Sequence, residues 1–328
     1  MDGRQSTPEQ PITRNSSTSN EQCGLDLKLG PLSEKNIDWG GFQQRPIDVI
    51  REDRYNPGRF YFNSRTTIMR WVTNQPVTAL VGNVTQEDIN VGYRDGPSDT
   101  AEFTLISDFV QYNQTKMAIS DFQNACVRLY DFETDMVSTI VGFCNAYGRG
   151  RIPYVSWARF DNTTEKNSLD PQFSGILSIY LLEKWNKLLI MDNAYILITQ
   201  HDFATQKTRL LNIDLFTKSP RPIQVIADQQ ENNIFINHAY GLTKYNLHTK
   251  MITLLFGSID ETLQGNRAIQ LIPGPFTTAQ TGALDTLRWL QQDRVLVSMG
   301  RKQNEALVMI DLEQEQVYSV CNGMYRVY

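Results

Sequence analysis

From Ile47 to Val320 the chain is written in short apolar runs of four or five residues separated by polar breaks. The runs are rich in Val, Ile, Leu and aromatic residues, which is strand length and strand chemistry. They come in fours. The fullest group is Ile106–Val110, Met117–Asp121, Cys126–Tyr130 and Val137–Val141. Four other groups keep the same order and open at Ile47, Ile176, Ile223 and Leu284. Such a repeat implies that each unit buries its apolar face against the next.

The second run of each group is the most apolar. A strand packed on both faces reads as a continuous apolar run, so this one is placed inside its sheet. Short polar turns, Asp131–Asp135, Asn246–Lys250 and Asp311–Glu315, join third to fourth runs as hairpins. Gly82, Gly142 and Gly257 follow the fourth run, where a positive φ lets the chain turn into the next unit. No helical stretch intervenes. The pattern predicts an all-β fold: a β-propeller of four-stranded blades, whose ring removes long exposed edges.

Spacing between units is uneven, and the excess falls in three connections, Asn83–Glu102, Asn145–Gly175 and Ser258–Gly282. Connections this long are often functional, so they are expected to carry binding. Residues 1–22 are polar, without apolar periodicity, and are predicted to be disordered ahead of a propeller over residues 23–328.

The formal net charge of -5 disfavours a nucleic-acid partner, which needs a basic face. No apolar run reaches the roughly 20 residues of a membrane span. The first 22 residues have no signal-peptide core, yet Asn15, Asn83, Asn113 and Asn162 each open a glycosylation triplet. The four cysteines form no CxxC pair. Cys126, within a strand pattern, reads as a buried free thiol. Cys23 and Cys321 stand near the ends of the folded part and could close the ring in an oxidising compartment.

One unit resembles an NHL repeat. Gly92 to Phe103, with Asp95-Gly96 and Ala101, is similar to that family's lead. Met117–Asp121 resembles its apolar strand, Asn124–Arg128 its Asn…Arg element, and Thr139–Gly142 its close. The resemblance implies six blades, with five the alternative. The sixth would come from residues 23–40 with 324–328, or from 152–160. It also implies an extracellular setting, and raises channel chemistry seen in related propellers: a His-bound zinc or an Asp-bound calcium.

The three histidines, His201, His238 and His248, are too scattered along the pattern to converge on zinc. Asp48, Asp108, Gln224 and Asp285 on first strands are the candidate calcium ligands, with a solvated channel wall as the plainer reading. Asn63, Asp121, Asp192 and Asn237 recur at the end of the second run and read as backbone-bonding turn residues. Trp71, Trp185 and Trp289 read as inter-blade packing. Arg149 and Arg151 beside Tyr154 and Trp157 form an Arg–aromatic cluster of the kind that interfaces favour. The expected function is therefore a monomeric, non-enzymatic binding module without a cofactor. It would take a protein or glycan partner through its long connections. The alternative is a metal-dependent hydrolase or lyase with a channel calcium or zinc.

Overall fold

The computed structural model describes residues 49–82, 92–144, 166–169, 173, 175–192, 198–211, 222–238, 241–258, 272–280, 284–300 and 307–319. The described residues contain 23 strands and no helix. They form five antiparallel sheets arranged as a five-bladed β-propeller.

Blade 1 holds β1 (Ile50–Glu52), β2 (Arg59–Ser64), β3 (Thr67–Val72) and β4 (Thr78–Val81). Blade 2 holds β5 (Gly96–Pro97), β6 (Ile106–Asn113), β7 (Lys116–Asp121), β8 (Cys126–Asp131) and β9 (Met136–Val141). Blade 3 holds β10 (Lys166–Asn167), β11 (Ile176–Leu182), β12 (Lys187–Asp192), β13 (Ile198–Asp202) and β14 (Lys207–Leu211). Blade 4 holds β15 (Pro222–Ala227), β16 (Asn233–His238), β17 (Gly241–Asn246) and β18 (Ile252–Gly257). Blade 5 holds β19 (Gly274–Pro275), β20 (Leu284–Gln291), β21 (Val295–Gly300), β22 (Leu307–Asp311) and β23 (Gln316–Ser319). Of the apolar run Tyr195–Ile198, read as the third strand of blade 3, only Ile198 is described, and it lies in β13; residues 195–197 lie outside the described residues. The segment 1–22 and both candidate sources of a sixth blade lie outside the described residues.

The second strands are the buried ones: β7, β12 and β16 are covered along all but their first residue. Facing sheets close on one another through four apolar cores. Blade 1 meets blade 2 through Tyr61, Ile68, Phe109 and Ile119. Blades 2 and 3 meet through Val127, Val141, Ile176 and Ile190, blades 3 and 4 through Leu189, Met191, Val225 and Ile236. Blades 4 and 5 meet through Phe235, Phe256, Leu287 and Ile310. A fifth cluster, Phe62, Met69, Trp71 and Val77, lies within blade 1. Trp185 and Trp289 pack at blade junctions as expected, whereas among the described residues Trp71 packs within blade 1, against Phe60. Burial of this kind contributes roughly 25 cal/mol per Å² of apolar surface, and it is what the alternating runs encode.

The hairpins between third and fourth strands repeat one design. An Asp or Asn accepts the two N–H groups two and three residues on: Asp131 from Glu133 and Thr134, Asp202 from Ala204 and Thr205, Asn246 from His248 and Thr249, Asp311 from Glu313 and Gln314. The fifth residue takes a positive φ, as at Asp135, Gln206, Lys250 and Glu315. Side-chain capture of backbone N–H is the reason Asp and Asn start such turns. Gly82, Gly142 and Gly257 do have positive φ, at 102°, 84° and 90°. A Cβ on Gly82 would sit 2.5 Å from the Thr66 carbonyl oxygen, so no other residue fits there.

The three long connections have a structural role that length alone does not reveal. Each adds a two-residue fifth strand to the outer edge of the following blade: β5 pairs with β9, β10 with β14, β19 with β23. In blades 2 and 5 this strand is Gly-Pro, and Pro97 and Pro275 each accept two N–H bonds from the turn that follows. Strand edges are thereby covered.

One cysteine expectation is overturned. Cys126 is not a free thiol; it is bonded to Cys144. Val127 pairs with Val141, so the residue opening β8 lies beside the chain leaving β9, and the two Cα atoms are 5.2 Å apart. Cys23 and Cys321 lie outside the described residues.

Candidate functional site

The first strands β6, β11, β15 and β20 lie next to one another in turn, and β1 is the first strand of blade 1. A bulge near the start of β6, β11, β15 and β20 gives them equivalent positions. Just after the bulge stand Asp108, Ser178, Gln224 and Thr286, with Val49 in the same place in blade 1. Two residues further stand Arg51, Val110, Tyr180, Ile226 and Arg288.

The bulge frees backbone groups, and side chains of the neighbouring blade take them. Asp108 accepts the N–H of Ile179 and the Ser178 hydroxyl on Oδ2, and its own Phe109 N–H on Oδ1. Arg51 Nη2 donates to the same Oδ1 at 2.6 Å. These four donors fill the four acceptor positions of a carboxylate. Gln224 does the same for blade 5, accepting the Leu287 N–H at 2.6 Å. So the two calcium candidates with described side chains act as inter-blade struts. Asp48 and the side chain of Asp285 lie outside the described residues. Asp285 stands one residue before Thr286, at the bulge position that Ser107 holds in blade 2, not at the Asp108 position.

The same bulge splits the recurrent Asn/Asp set. Asn63 and Asn237 share a register position with Ser120, one residue ahead of Asp121 and Asp192. Asn63 and Asn237 do bond backbone, but across strands and blades and not as the starters of turns. Asn63 accepts from Val49 N–H and donates to Ile106 O in blade 2. Asn237 accepts from Gln224 N–H and donates to Leu284 O in blade 5. Ser120 and Ser107 donate to Ile176 O in blade 3.

At the opposite end of these strands the fastening runs through carboxylates. Arg54 of blade 1 reaches Glu183 of blade 3. Glu231 of blade 4 accepts the Glu183 and Lys184 N–H groups, and Asp293 of blade 5 accepts the Gln229 N–H. Asp53, which accepts from Tyr61, Asn56 and Gln111, anchors blade 1 to blade 2.

Two arginines that the pattern of runs did not single out stand out in the channel layer. Arg51 and Arg288 interrupt otherwise strand-like sequence, and that interruption is the signal that could have found them. The Arg51 side chain is about a quarter exposed. Its Nε is buried without a partner. Arg288 donates to Leu287 O of its own strand. Burial, with Arg51 beside it, draws the Arg288 guanidinium down to about 10.

Among the described residues no group of three or more His, Cys, Asp or Glu is placed to hold a metal. His201 is buried between Ser168 and Thr208, His238 is buried against Thr243, and His248 lies in an exposed hairpin beside Trp185. Arg149, Arg151, Tyr154 and Trp157 lie outside the described residues.

No protein-family profile matches the chain, and no curated protein matches it. Solved structures do. An auxiliary nutrient binding protein from Bacteroides thetaiotaomicron superposes with a TM-score of 0.56 at 11% identity, over 83% of this chain and 56% of that one. A protein of the same description from Bacteroides ovatus gives 0.53 at 11%, over 83% and 57%. The chain thus spans little more than half the length of these structures. At such identity the likeness is one of fold.

Proposed function

We propose that this protein is a non-enzymatic binding module of the propeller type, taking a protein or glycan partner through the connections between blades. The observation that carries this reading is the use of the polar first-strand residues. Asp108 and Gln224, with Asn63 and Asn237 on the adjoining strands, are committed to holding one blade to the next. The core is a rigid frame, and frames of this kind present loops for recognition. The likeness to propellers described as auxiliary nutrient binding proteins supports the same class. The NHL-like lead of blade 2 supports an extracellular setting, and so does the Cys126–Cys144 bond, which an oxidising compartment maintains.

The partner surface is assigned to Arg149, Arg151, Tyr154 and Trp157. The test is equilibrium binding to an immobilised glycan array and to candidate surface proteins, with wild type and an Arg149→Ala/Arg151→Ala/Trp157→Ala variant. The variant should lose the retained partners with a melting temperature close to wild type. Undiminished capture would place recognition elsewhere.

A further inference from the structure

We infer that Arg288 and Arg51 form a channel site for a small oxyanion, the carboxylate or phosphate head of a ligand. The two residues occupy the same register layer on β20 and β1. Asp108 holds Arg51 at 2.6 Å, and Arg51 and Asp108 are the two charges that weigh on Arg288. All four acceptor positions of Asp108 are taken, and none of them by Arg288. Two cations therefore share one anion in a half-buried place. Of the five donors a guanidinium carries, Arg288 commits one to the described protein. Arg51 leaves Nε without a partner. Planar forks of this kind match the paired oxygens of carboxylate and phosphate, and poorly solvated surroundings strengthen the attraction. An arriving oxyanion would supply the charge and the acceptors that the fold withholds. The site does not depend on the connections that carry the proposed partner surface.

Calorimetric titration of the full chain with sodium phosphate and with sodium acetate, at fixed ionic strength, tests this. At least one should bind saturably. Phosphate alone identifies a phosphate head, and acetate identifies a carboxylate. Arg288→Gln and Arg51→Gln should each weaken binding at least tenfold, whereas Lys184→Gln, a surface cation bonded to Gln230, should leave it unchanged. If Arg288→Gln does not fold, Arg288→Lys keeps the charge and removes the fork, and should still weaken binding severalfold. Absence of saturable binding overturns the site. So does a folded Arg288→Gln or Arg288→Lys that binds like wild type, or an equal loss in Lys184→Gln. The loop variant above should bind these anions normally, so the two readings fail separately.

Discussion

Blades 2 and 4 share strand order and register but fill one pair of equivalent positions with opposite chemistry. Asp121 and His238 both end the second strand opposite the residue that precedes the bulge, Ile106 and Pro222. Arg128 and Thr243 both pair with the residue two places earlier, Ile119 and Ile236. In blade 2 these positions hold charge. Arg128 is fully buried and spends all five donors, on Asp95, Asp121 and the carbonyls of Arg94 and Glu102. It also lies between the Tyr93 and Phe103 rings. In blade 4 the same positions hold a neutral pair, His238 Nε2 and the Thr243 hydroxyl, 3.3 Å apart. Of these two blades, and among the described residues, blade 2 has its preceding connection pinned as a fifth strand. A buried cation needs several anionic and carbonyl partners, and the Asp95 lead supplies them. The frame tolerates either solution because the apolar cores on both sides are the same kind.

The largest expected effect breaks the charged side of this comparison. Arg128→Met strands Asp121 inside the protein and should cost about 3–5 kcal/mol, the range for removing one partner of a buried ion pair. Thr243→Val in blade 4 should cost only about 1 kcal/mol, that of one neutral hydrogen bond. Urea titration of both variants checks the ratio, and equal losses would refute the contrast. Next is the Cys126–Cys144 bond of blade 2. Its span of 18 residues corresponds to about 3 kcal/mol of unfolded-chain entropy. Cys126→Ala/Cys144→Ala should lose that much and become indifferent to reductant, whereas wild type should lose it on reduction.

Much of blade 2 was legible from sequence, and less of blade 4, for reasons that are local. Runs such as Met117–Asp121 and turns such as Asp131–Asp135 carry their instructions within a few residues, so strands and hairpins were readable. The bulges were not, because one inserted residue leaves the apolar pattern nearly intact while moving Asn63 and Asn237 off the Asp121 position. The Gly-Pro fifth strands are too short to register as runs, which made the long connections look free. The continuation of the third strand of blade 3 through Thr199, Gln200 and His201 carries no apolar signal, because these residues are polar yet buried. The disulfide required pairing Val127 with Val141 first. The channel arginines lie in the first and last described blades, and no local pattern joins them.

Acid separates the two blades in sign. His238 in blade 4 and His201 in blade 3 are held down to about 4 by burial, so both are neutral in the folded chain. A lowered histidine stabilises fully above its ordinary value of 6.5 and loses that contribution as pH falls toward 4. At pH 5 each should have cost about 2 kcal/mol. Asp121 in blade 2 is pushed by burial up to about 6, against bonds from Asn124 and Arg128. Its contribution runs the other way, fully present below 3.8 and lost as pH rises through 6. Hydrogen exchange compared at pH 7 and pH 5, corrected for intrinsic rates, should show protection falling in β16 and β17 before β7 and β8. His238→Gln should flatten the loss in blade 4.

The smallest contrast concerns the struts at the shared register position. Asn237 makes two bonds that nothing else makes, accepting from Gln224 N–H and donating to Leu284 O. Ser120 donates to Ile176 O, but Ser107 reaches the same carbonyl at 2.6 Å. Removing the serine hydroxyl leaves that acceptor satisfied, whereas removing the amide leaves a buried donor and a buried acceptor bare. Asn237→Ala should therefore cost about 1–2 kcal/mol, and Ser120→Ala no more than about 0.5 kcal/mol. Ser107→Ala combined with Ser120→Ala should bring blade 2 up to the Asn237→Ala loss. A Ser120→Ala loss as large as that of Asn237→Ala would mean that the paired hydroxyls do not back each other up.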